Sequence, residues 1–319
     1  MTNTKRHSLS DQAAQQIRNR AGRAIALNRR PGFHFPGYFL GLTWPHIGKN
    51  DIVEEMVPGP HCVNSRGEID FVALGVMIDG GLATSARLPI PLGARMATVN
   101  MSAQFTGASA RGKLRMSTEF QGFTVGKAIP QGLSKGVLYA DEVPLCHASA
   151  AFVLLPPPPH AKLAPLPWQD EPRPDPAPLA PGEMDSGELA ILAACDEALA
   201  RTQVQHTFPE YFWDVLPKTL DDGARCQVRL GPHHGNRVRH VQGGILFGLA
   251  AATACAAVPR HPMLCSIASW YISPGQGDTL AASSRVVHAG RSFAVVRTEI
   301  KTAEGALVLE AMTNHASRR

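Results

Sequence analysis

The sequence predicts an α+β protein of two tandem domains, each an antiparallel sheet wrapped around a central helix. Three observations favour this fold class. The chain has 319 residues, enough for two ordinary domains. A proline-dense stretch at 156–185 divides it. The hexapeptide GPHCVN at 59–64 also returns as GPHHGN at 231–236, an offset of 172 residues that indicates an internal repeat.

The domain boundaries follow from composition. Proline fixes φ and removes a backbone donor, so 156–185 is expected to be an extended linker. We therefore expect an N-terminal helical segment at 1–32, a first domain at 33–155, and an introductory helix with the second domain at 186–319. The arginine-rich start also resembles an organelle transit peptide. A comparable helical segment, SGELAILAACDEALARTQ, stands ahead of the second half, which favours a helix that introduces a domain.

In each half the repeated hexapeptide is followed by one apolar helix and then by strands. The apolar stretch at 245–258 is shorter than the roughly 20 residues of a membrane span, so we expect a core helix and no membrane span. Glycine-containing turns separate the following strands. In SFAVVRTEIKT, Ala294, Val296 and Ile300 alternate with charged residues, the pattern of a half-buried strand.

Composition narrows the ligand classes. The net charge of +5 favours anionic ligands, but it is spread thinly and lacks the basic stripe with interleaved aromatics of a nucleic-acid groove. A phosphorylated small molecule fits better, and we expect no nucleic-acid partner. The six cysteines form no CxxC pair and no metal spacing, which predicts reduced, mostly buried thiols. We also expect a cytoplasmic protein that needs no metal or redox cofactor.

Differences between the repeats locate candidate catalytic groups. The offset pairs Asn64 with Asn236, Asp70 with Gln242, Phe71-Val72 with Gly243-Gly244, and Asp79 with Ala251. A glycine pair at a helix N-terminus lets a carbonyl oxygen approach free N–H groups, and the alternative for the pair is tight helix packing. A carboxylate in the apolar stretch at 71–86 is expected to have a raised pKa, which suits a general base or a nucleophile; the alternative for Asp79 is a helix cap or a solvent-facing acid.

Other polar residues of the repeated loop have structural interpretations. Asn236 and Gln242 can orient water and a substrate oxygen, or simply bond their own loop. His61 and His233 recur at one repeat position and are expected to stabilise the loop. We expect a solvated basic face rather than a metal site at His234, Arg237, Arg239 and His240.

These motifs resemble those of the hotdog-fold thioesterases, particularly the PaaI-like acyl-CoA thioesterase family. Asn236, Gln242, Gly243 and Gly244 resemble the family's N-x-x-G-x-x-H-G-G, and VVHAGRSFAVV resembles its later strand signature. The resemblance covers 205–316 and, more weakly, 36–155, where Asn64, Gly67 and Asp79 fit the family's pattern. Gln242 stands where the family has His, and Ala251 where it has its catalytic acid.

The resemblance implies a pseudo-dimer with one complete active site. In this family the glycine turn of one subunit faces the helix carboxylate of the other, so Asp79 would face Asn236, Gln242 and Gly243-Gly244. The reciprocal combination of Asn64 and Asp70 with Ala251 lacks that carboxylate and is expected to be inactive; the alternative is that Asp70 serves as the acid.

The resemblance also implies a substrate. Arg291, Ser292, Asn64 and Asp70 would bind it. The implied activity is acyl-CoA hydrolysis with coenzyme A as part of the substrate, and sheet pairing would allow a homodimer of such chains.

Two other functions remain open from the sequence. Asymmetric decay of the repeats would leave a non-catalytic acyl-CoA binding protein. Asp141 and His147 have the D-x5-H spacing of a hotdog enoyl-CoA hydratase or dehydratase, although they fall in a turn and a late strand rather than at the start of a central helix.

Overall fold

The computed structural model describes residues 9–30, 32–90, 94–125, 129–156, 165–166, 176–202 and 206–317. Within these residues it contains six α-helices and twelve β-strands. The helices are α1 (Asp11–Asn28), α2 (Phe35–Leu40), α3 (Phe71–Arg87), α4 (Ser186–Arg201), α5 (Phe208–Phe212) and α6 (Gly243–Ala257). The strands of the first half are β1 (Thr43–Ile47), β2 (Asp51–Met56), β3 (Arg95–Phe105), β4 (Leu114–Phe123), β5 (Gln131–Ala140) and β6 (Val143–Leu155). Those of the second half are β7 (Lys218–Leu220), β8 (Gly223–Arg229), β9 (Met263–Tyr271), β10 (Thr279–Ala289), β11 (Phe293–Thr302) and β12 (Leu307–Ala316).

All twelve strands belong to one antiparallel sheet whose order repeats the chain's internal symmetry. The order is β1-β2-β4-β5-β6-β3-β9-β12-β11-β10-β8-β7. The order in the second half is therefore the mirror image of the order in the first, with each strand replaced by the one numbered six higher: β9 mirrors β3, and β7 mirrors β1. The halves join where β3 pairs with β9, from Asn100 opposite Trp270 to Gln104 opposite Ser266. The predicted α+β fold of two halves, each with antiparallel strands around one central helix, is confirmed, and the strands of the two halves form one continuous sheet.

The loop before each central helix also repeats. An isolated bridge joins Val63 to Ile69 in the first half and Gly235 to Val241 in the second, at the predicted offset. Asp70 caps α3 by accepting the N–H groups of Val72 and Ala73 at 2.8 and 3.1 Å. Its repeat partner Gln242 caps α6. One loop thus places two different side chains at equivalent helix ends.

The central helices α3 and α6 touch through their backbones. A methyl group added at Gly248 would lie 2.5 Å from the carbonyl oxygen of Phe71, and one at Gly244 would collide with the carbonyl oxygen of Gly75. The contacts run in opposite directions along the two helices, from Phe71 beside Gly248 to Gly75 beside Gly244. Because the crossing is this close, the next turn of α3, which carries Asp79, lies against the N-terminus of α6.

Helices outside the sheet pair off in the same way. α1 packs against α4, where the Arg18 guanidinium lies 2.7 Å from Asp196. α2 and α5 bring Phe39, Phe208 and Phe212 into one buried aromatic cluster. The N-terminal segment contains the helix Asp11–Asn28. Most of the predicted linker, including 157–164 and 167–175, lies outside the described residues.

Helix α6 is a buried core helix, as its apolar sequence predicts. Within the described ranges, no helix combines the length and apolarity that a membrane span needs. The six cysteines are free thiols, and four of them are buried.

The α3–α6 contact predicts a large difference between two glycine substitutions. Gly248→Ala should lower the free energy of unfolding by about 1–3 kcal/mol, because the added methyl must push two helix backbones apart. Gly182→Ala is the matched control, since nothing lies within 4 Å of the added methyl; its effect should stay within about 0.5 kcal/mol. Urea denaturation measures both, and equal values for the two variants would contradict the backbone contact.

Candidate active site

A cavity of about 390 Å³ opens beside the α3–α6 contact. Its walls come from the C-terminal half of α3, the first residues of β3, the loop before α6 and the chain that leaves β9. Asp79, Thr98, Gln242, Gly243 and Tyr271 lie together at one end of it. Both halves of the chain therefore contribute side chains to the same cavity.

Asp79 is a buried carboxylate with donors on both oxygens. It is 7% exposed. The Thr98 hydroxyl donates to Oδ1 at 3.1 Å, and Gln242 Nε2 donates to Oδ2 at 2.7 Å. Burial raises the pKa of Asp79 to about 6, against the opposing effects of the Thr98 bond and the Gly244 N–H. The alternative of a solvent-facing acid or a helix cap is excluded, because Asp79 lies buried in the middle of α3.

Gln242 serves the helix and the carboxylate at once. Its Oε1 accepts the Ile245 N–H at 3.1 Å, which turns Nε2 toward Asp79. The side chain is 2% exposed. A carboxylate like that of Asp70 could cap the helix equally well but would repel Asp79. An amide offers an acceptor and a donor from one rigid group, so it satisfies both neighbours.

Gly243 leaves room beside the carboxylate at the start of α6. A methyl group at this position would lie 3.0 Å from Asp79 Oδ2. The Tyr271 hydroxyl donates to the Gly243 carbonyl oxygen at 2.9 Å and fixes that peptide. Burial and the charge of Asp79 raise the pKa of Tyr271 well above its usual range, which keeps the phenol neutral. Gly244 has the packing role described above, so the two glycines differ in purpose.

Asn236 lines the cavity but uses its oxygen on its own loop. Oδ1 accepts the N–H groups of Val238 and His240 at 2.9 and 3.1 Å. Asn64 makes the same contacts with Arg66 and Glu68 at 2.9 and 3.2 Å. Because the bonds recur in the half that lacks a glycine pair, they favour the loop-organising interpretation for both asparagines.

The expected substrate-binding residues do not line this cavity. Arg291 and Ser292 are exposed in the turn between β10 and β11. His261 Nε2 lies 2.9 Å from the Gly290 oxygen, and this contact anchors the turn just beyond the C-terminus of α6. Gln242 caps the opposite end of α6, its N-terminus. Asn64 and Asp70 organise the N-terminus of α3. All four residues therefore lie outside the cavity that contains Asp79, and their expected role in binding the substrate stays a prediction.

The basic residues of the repeated loop correct another expectation. His234 is 1% exposed, with Nε2 3.2 Å from the Trp213 oxygen, and Arg237 and His240 line the cavity. Of the predicted solvated face, only Arg239 is exposed. His233 does stabilise the loop, since its Nε2 lies 2.9 Å from the Phe212 oxygen.

Sequence reasoning missed Thr98 and Tyr271. Both reach the cavity from strands, far along the chain from the loop motif, and neither belongs to a recognisable pattern. It also missed Arg87, although Asp79, Ala83 and Arg87 follow the spacing of one helix face and all line the cavity.

The hydratase pair is not assembled. Asp141 is exposed in the β5–β6 turn, where its Oδ1 accepts the Lys113 N–H at 2.8 Å. His147 is exposed on β6. Among the residues that the structure describes, no cluster of three or more His, Cys, Asp or Glu side chains could hold a metal ion.

Residues 232–316 match the family model described as "Acyl-CoA thioesterase N-terminal domain". Two solved structures align over nearly their full length. The tesB protein of Mycobacterium avium subspecies paratuberculosis has 12% identity and a TM-score of 0.53, covering 88% of this chain and 96% of that one. A hot dog fold protein of Alicyclobacillus acidocaldarius has 10% identity and a TM-score of 0.51, covering 87% and 96%. This chain is a tandem hotdog protein.

A third solved structure, the 12:0-ACP thioesterase of Umbellularia californica, has 9% identity and a TM-score of 0.53, covering 84% of the tandem hotdog chain and 94% of its own. At these identities the likeness concerns the fold. Among curated proteins, none matches the sequence. The family match confirms the acyl-CoA thioesterase resemblance for the second half, which supplies Gln242 and the glycine pair.

The buried carboxylate predicts a stability gain on its removal. The folded pKa of Asp79 is about 6 against an ordinary value of 3.8, so the folded state loses stability as pH rises through that window. Asp79→Asn should raise the free energy of unfolding by about 1–3 kcal/mol at pH 8, and the gain should vanish near pH 4. Urea denaturation at both pH values tests this. A gain that does not depend on pH would mean that ionisation of Asp79 does not destabilise the folded state.

Proposed function

We propose that the tandem hotdog protein hydrolyses acyl-CoA thioesters to the free acid and coenzyme A at one composite site. The observation that carries this is the 2.7 Å hydrogen bond from Gln242 Nε2 to Asp79 Oδ2 inside the cavity. It joins a carboxylate of the first half to the helix N-terminus of the second. The family match over 232–316 supports the reaction class. The reaction needs no cofactor beyond the coenzyme A of the substrate.

The N-terminus of α6 would hold the electrophile. The first N–H groups of a helix have no acceptor within it, and the helix dipole favours negative charge there. A thioester oxygen placed beside Gly243 would therefore be stabilised as it becomes an oxyanion. The absence of a side chain at Gly243, with its peptide held by Tyr271, keeps this approach open.

Asp79 would act as the general base. A carboxylate with a pKa of about 6 is ionised at neutral pH and is a stronger base than an ordinary aspartate. It would take a proton from a water that attacks the carbonyl carbon. The tetrahedral intermediate then expels the thiolate by breaking the C–S bond, and the proton held by Asp79 passes to the sulfur. Water is consumed, and an acid and a thiol are released.

The neighbours of Asp79 would orient this base. Thr98 and Gln242 fix the two carboxylate oxygens, and each oxygen keeps capacity for a further acceptor bond to water. Asn236 would act as a positioning residue that shapes the loop in front of Gln242. The reciprocal site would be silent, because Ala251 stands at the Asp79 position of α6.

A non-catalytic acyl-CoA binding protein is the second candidate. The observation that favours it is that both oxygens of Asp79 are already engaged by protein donors. In that case the same pocket would bind a thioester without activating water.

Asp79→Asn separates the two candidates. The kcat for hydrolysis should be about 10²–10⁴-fold lower in this variant than in the wild type, because Asn cannot take the proton. The affinity for the acyl-CoA should change little, because the Asn side chain has the same shape as that of Asp. The wild-type kcat/KM should rise with pH through about 6, the pKa of Asp79. Thiol release from short, long, branched and aromatic acyl-CoAs measures the rates, and calorimetry measures binding.

Asp222→Asn is the control for this variant. Asp222 is an exposed acid in the β7–β8 turn, so the same change of group should leave kcat unaltered. Binding without thiol release by the wild type would overturn the enzyme proposal and favour the binding protein.

A further inference from the structure

Three arginines line the cavity that contains Asp79. They are Arg87, Arg95 and Arg237. Asp79 is the one carboxylate among the described lining residues. The whole chain, with 31 basic and 26 acidic residues, is much closer to balance. The cavity therefore has a local excess of positive charge, which the proposed chemistry at Asp79 does not use.

The arginines come from three elements, and Arg87 lies away from the Asp79 end. Arg87 is in the last turn of α3, eight residues after Asp79, which places their Cα atoms about 12 Å apart along the helix. The small residues Ala83 and Thr84 line the stretch between them. Arg87 Nη1 donates to the Ala94 oxygen at 2.8 Å, next to Arg95 at the start of β3. Arg237 follows Asn236 in the loop before α6.

The electrostatics of Arg87 and Arg237 indicate a desolvated positive site. Burial and, to a smaller extent, the charge of Arg237 lower the pKa of Arg87 to about 10. Burial also lowers the pKa of Arg237. Burial together with Arg237 lowers the pKa of His34 to about 3, so this neighbour is neutral. Two like charges in a poorly hydrated wall are costly, and an anion between them would relieve that cost.

The surrounding walls are suited to a carbon chain. Phe33, Met96, Phe152 and Leu166 line the cavity, and three of them are buried. A volume of about 390 Å³ is near the lower end for ligand pockets, which favours an acyl group over a nucleotide. The cavity thus offers a thioester end at Asp79, apolar walls, and a cationic region beyond them.

We propose that Arg87 and Arg237 bind a carboxylate at the distal end of the acyl group, so that the substrate is the CoA thioester of a dicarboxylic acid. This inference rests on the proposed thioesterase function. Guanidinium groups match a carboxylate through paired hydrogen bonds, and desolvation strengthens such bonds. A monocarboxylic acyl chain of the same length has no distal carboxylate and could not accept these hydrogen bonds.

The test compares matched thioesters. We would measure kcat/KM for adipyl-CoA and hexanoyl-CoA, and for suberyl-CoA and octanoyl-CoA, with the wild type, Arg237→Gln and Arg87→Gln. Arg285→Gln, in an exposed position of β10, controls for the loss of one charge. The wild type should prefer the diacid of at least one pair. Each cavity variant should lower kcat/KM for that diacid by about 10- to 100-fold, with little change for its monoacid.

Two results would overturn the proposal. One is a wild type that prefers the monoacid of both pairs, or variants that affect both members of a pair equally. The other is a loss seen with CoA thioesters but absent with the corresponding pantetheine thioesters, which would assign the arginines to the phosphates of coenzyme A.

A failure of the proposed function would look different. If the wild type cleaves no thioester, calorimetry with adipyl-CoA and hexanoyl-CoA tests the arginines alone. At least tenfold tighter binding of the diacid, lost in Arg237→Gln, would support the carboxylate site even in a non-catalytic protein. Equal binding of both ligands would contradict it.

Discussion

The hydrogen bond between Gln242 and Asp79 depends on how closely the two central helices meet. Gly75, Gly244 and Gly248 let the backbones of α3 and α6 touch, and this contact sets the N-terminus of one helix against the middle of the other. The amide of Gln242 then spans from the Ile245 N–H to the Asp79 carboxylate. The cavity, the raised pKa of Asp79 and the open approach beside Gly243 all follow from that geometry.

The internal repeat shows how the two halves differ at the contact between α3 and α6. Equivalent loops end in Asp70 in the first half and in Gln242 in the second, and both side chains cap a helix. The helix carboxylate is kept in α3 as Asp79 and replaced in α6 by Ala251. An acid at the cap of α6 would repel Asp79 in the facing helix, and the neutral Gln242 stands there instead. Both carboxylates, Asp70 and Asp79, belong to the first half, and neither has an acid at its repeat position in the second. The proposed single site is the chemical consequence.

Most of the fold could be predicted from the sequence, because the offset repeat, the two apolar helices and the alternating strands all indicate the same architecture. The pairing of Asp79 with Gln242 could also be expected, since the repeat and the family resemblance point to facing helices. The roles of Thr98, Tyr271 and Arg237 could not, because strand residues and loop cations acquire neighbours only through the folded chain. The role of Arg291 in binding the substrate rests on the resemblance of its turn to the family's, and it stays a prediction.

The central claim is one composite site per chain, and the stoichiometry of ligand binding tests it most directly. Isothermal titration calorimetry with a non-hydrolysable thioether analogue of an acyl-CoA should give one equivalent per chain for the wild type. It should give none for Gly243→Val, whose side chain would project toward Asp79, provided that circular dichroism shows the variant to be folded. Two equivalents for the wild type, or one equivalent retained by folded Gly243→Val, would contradict the account.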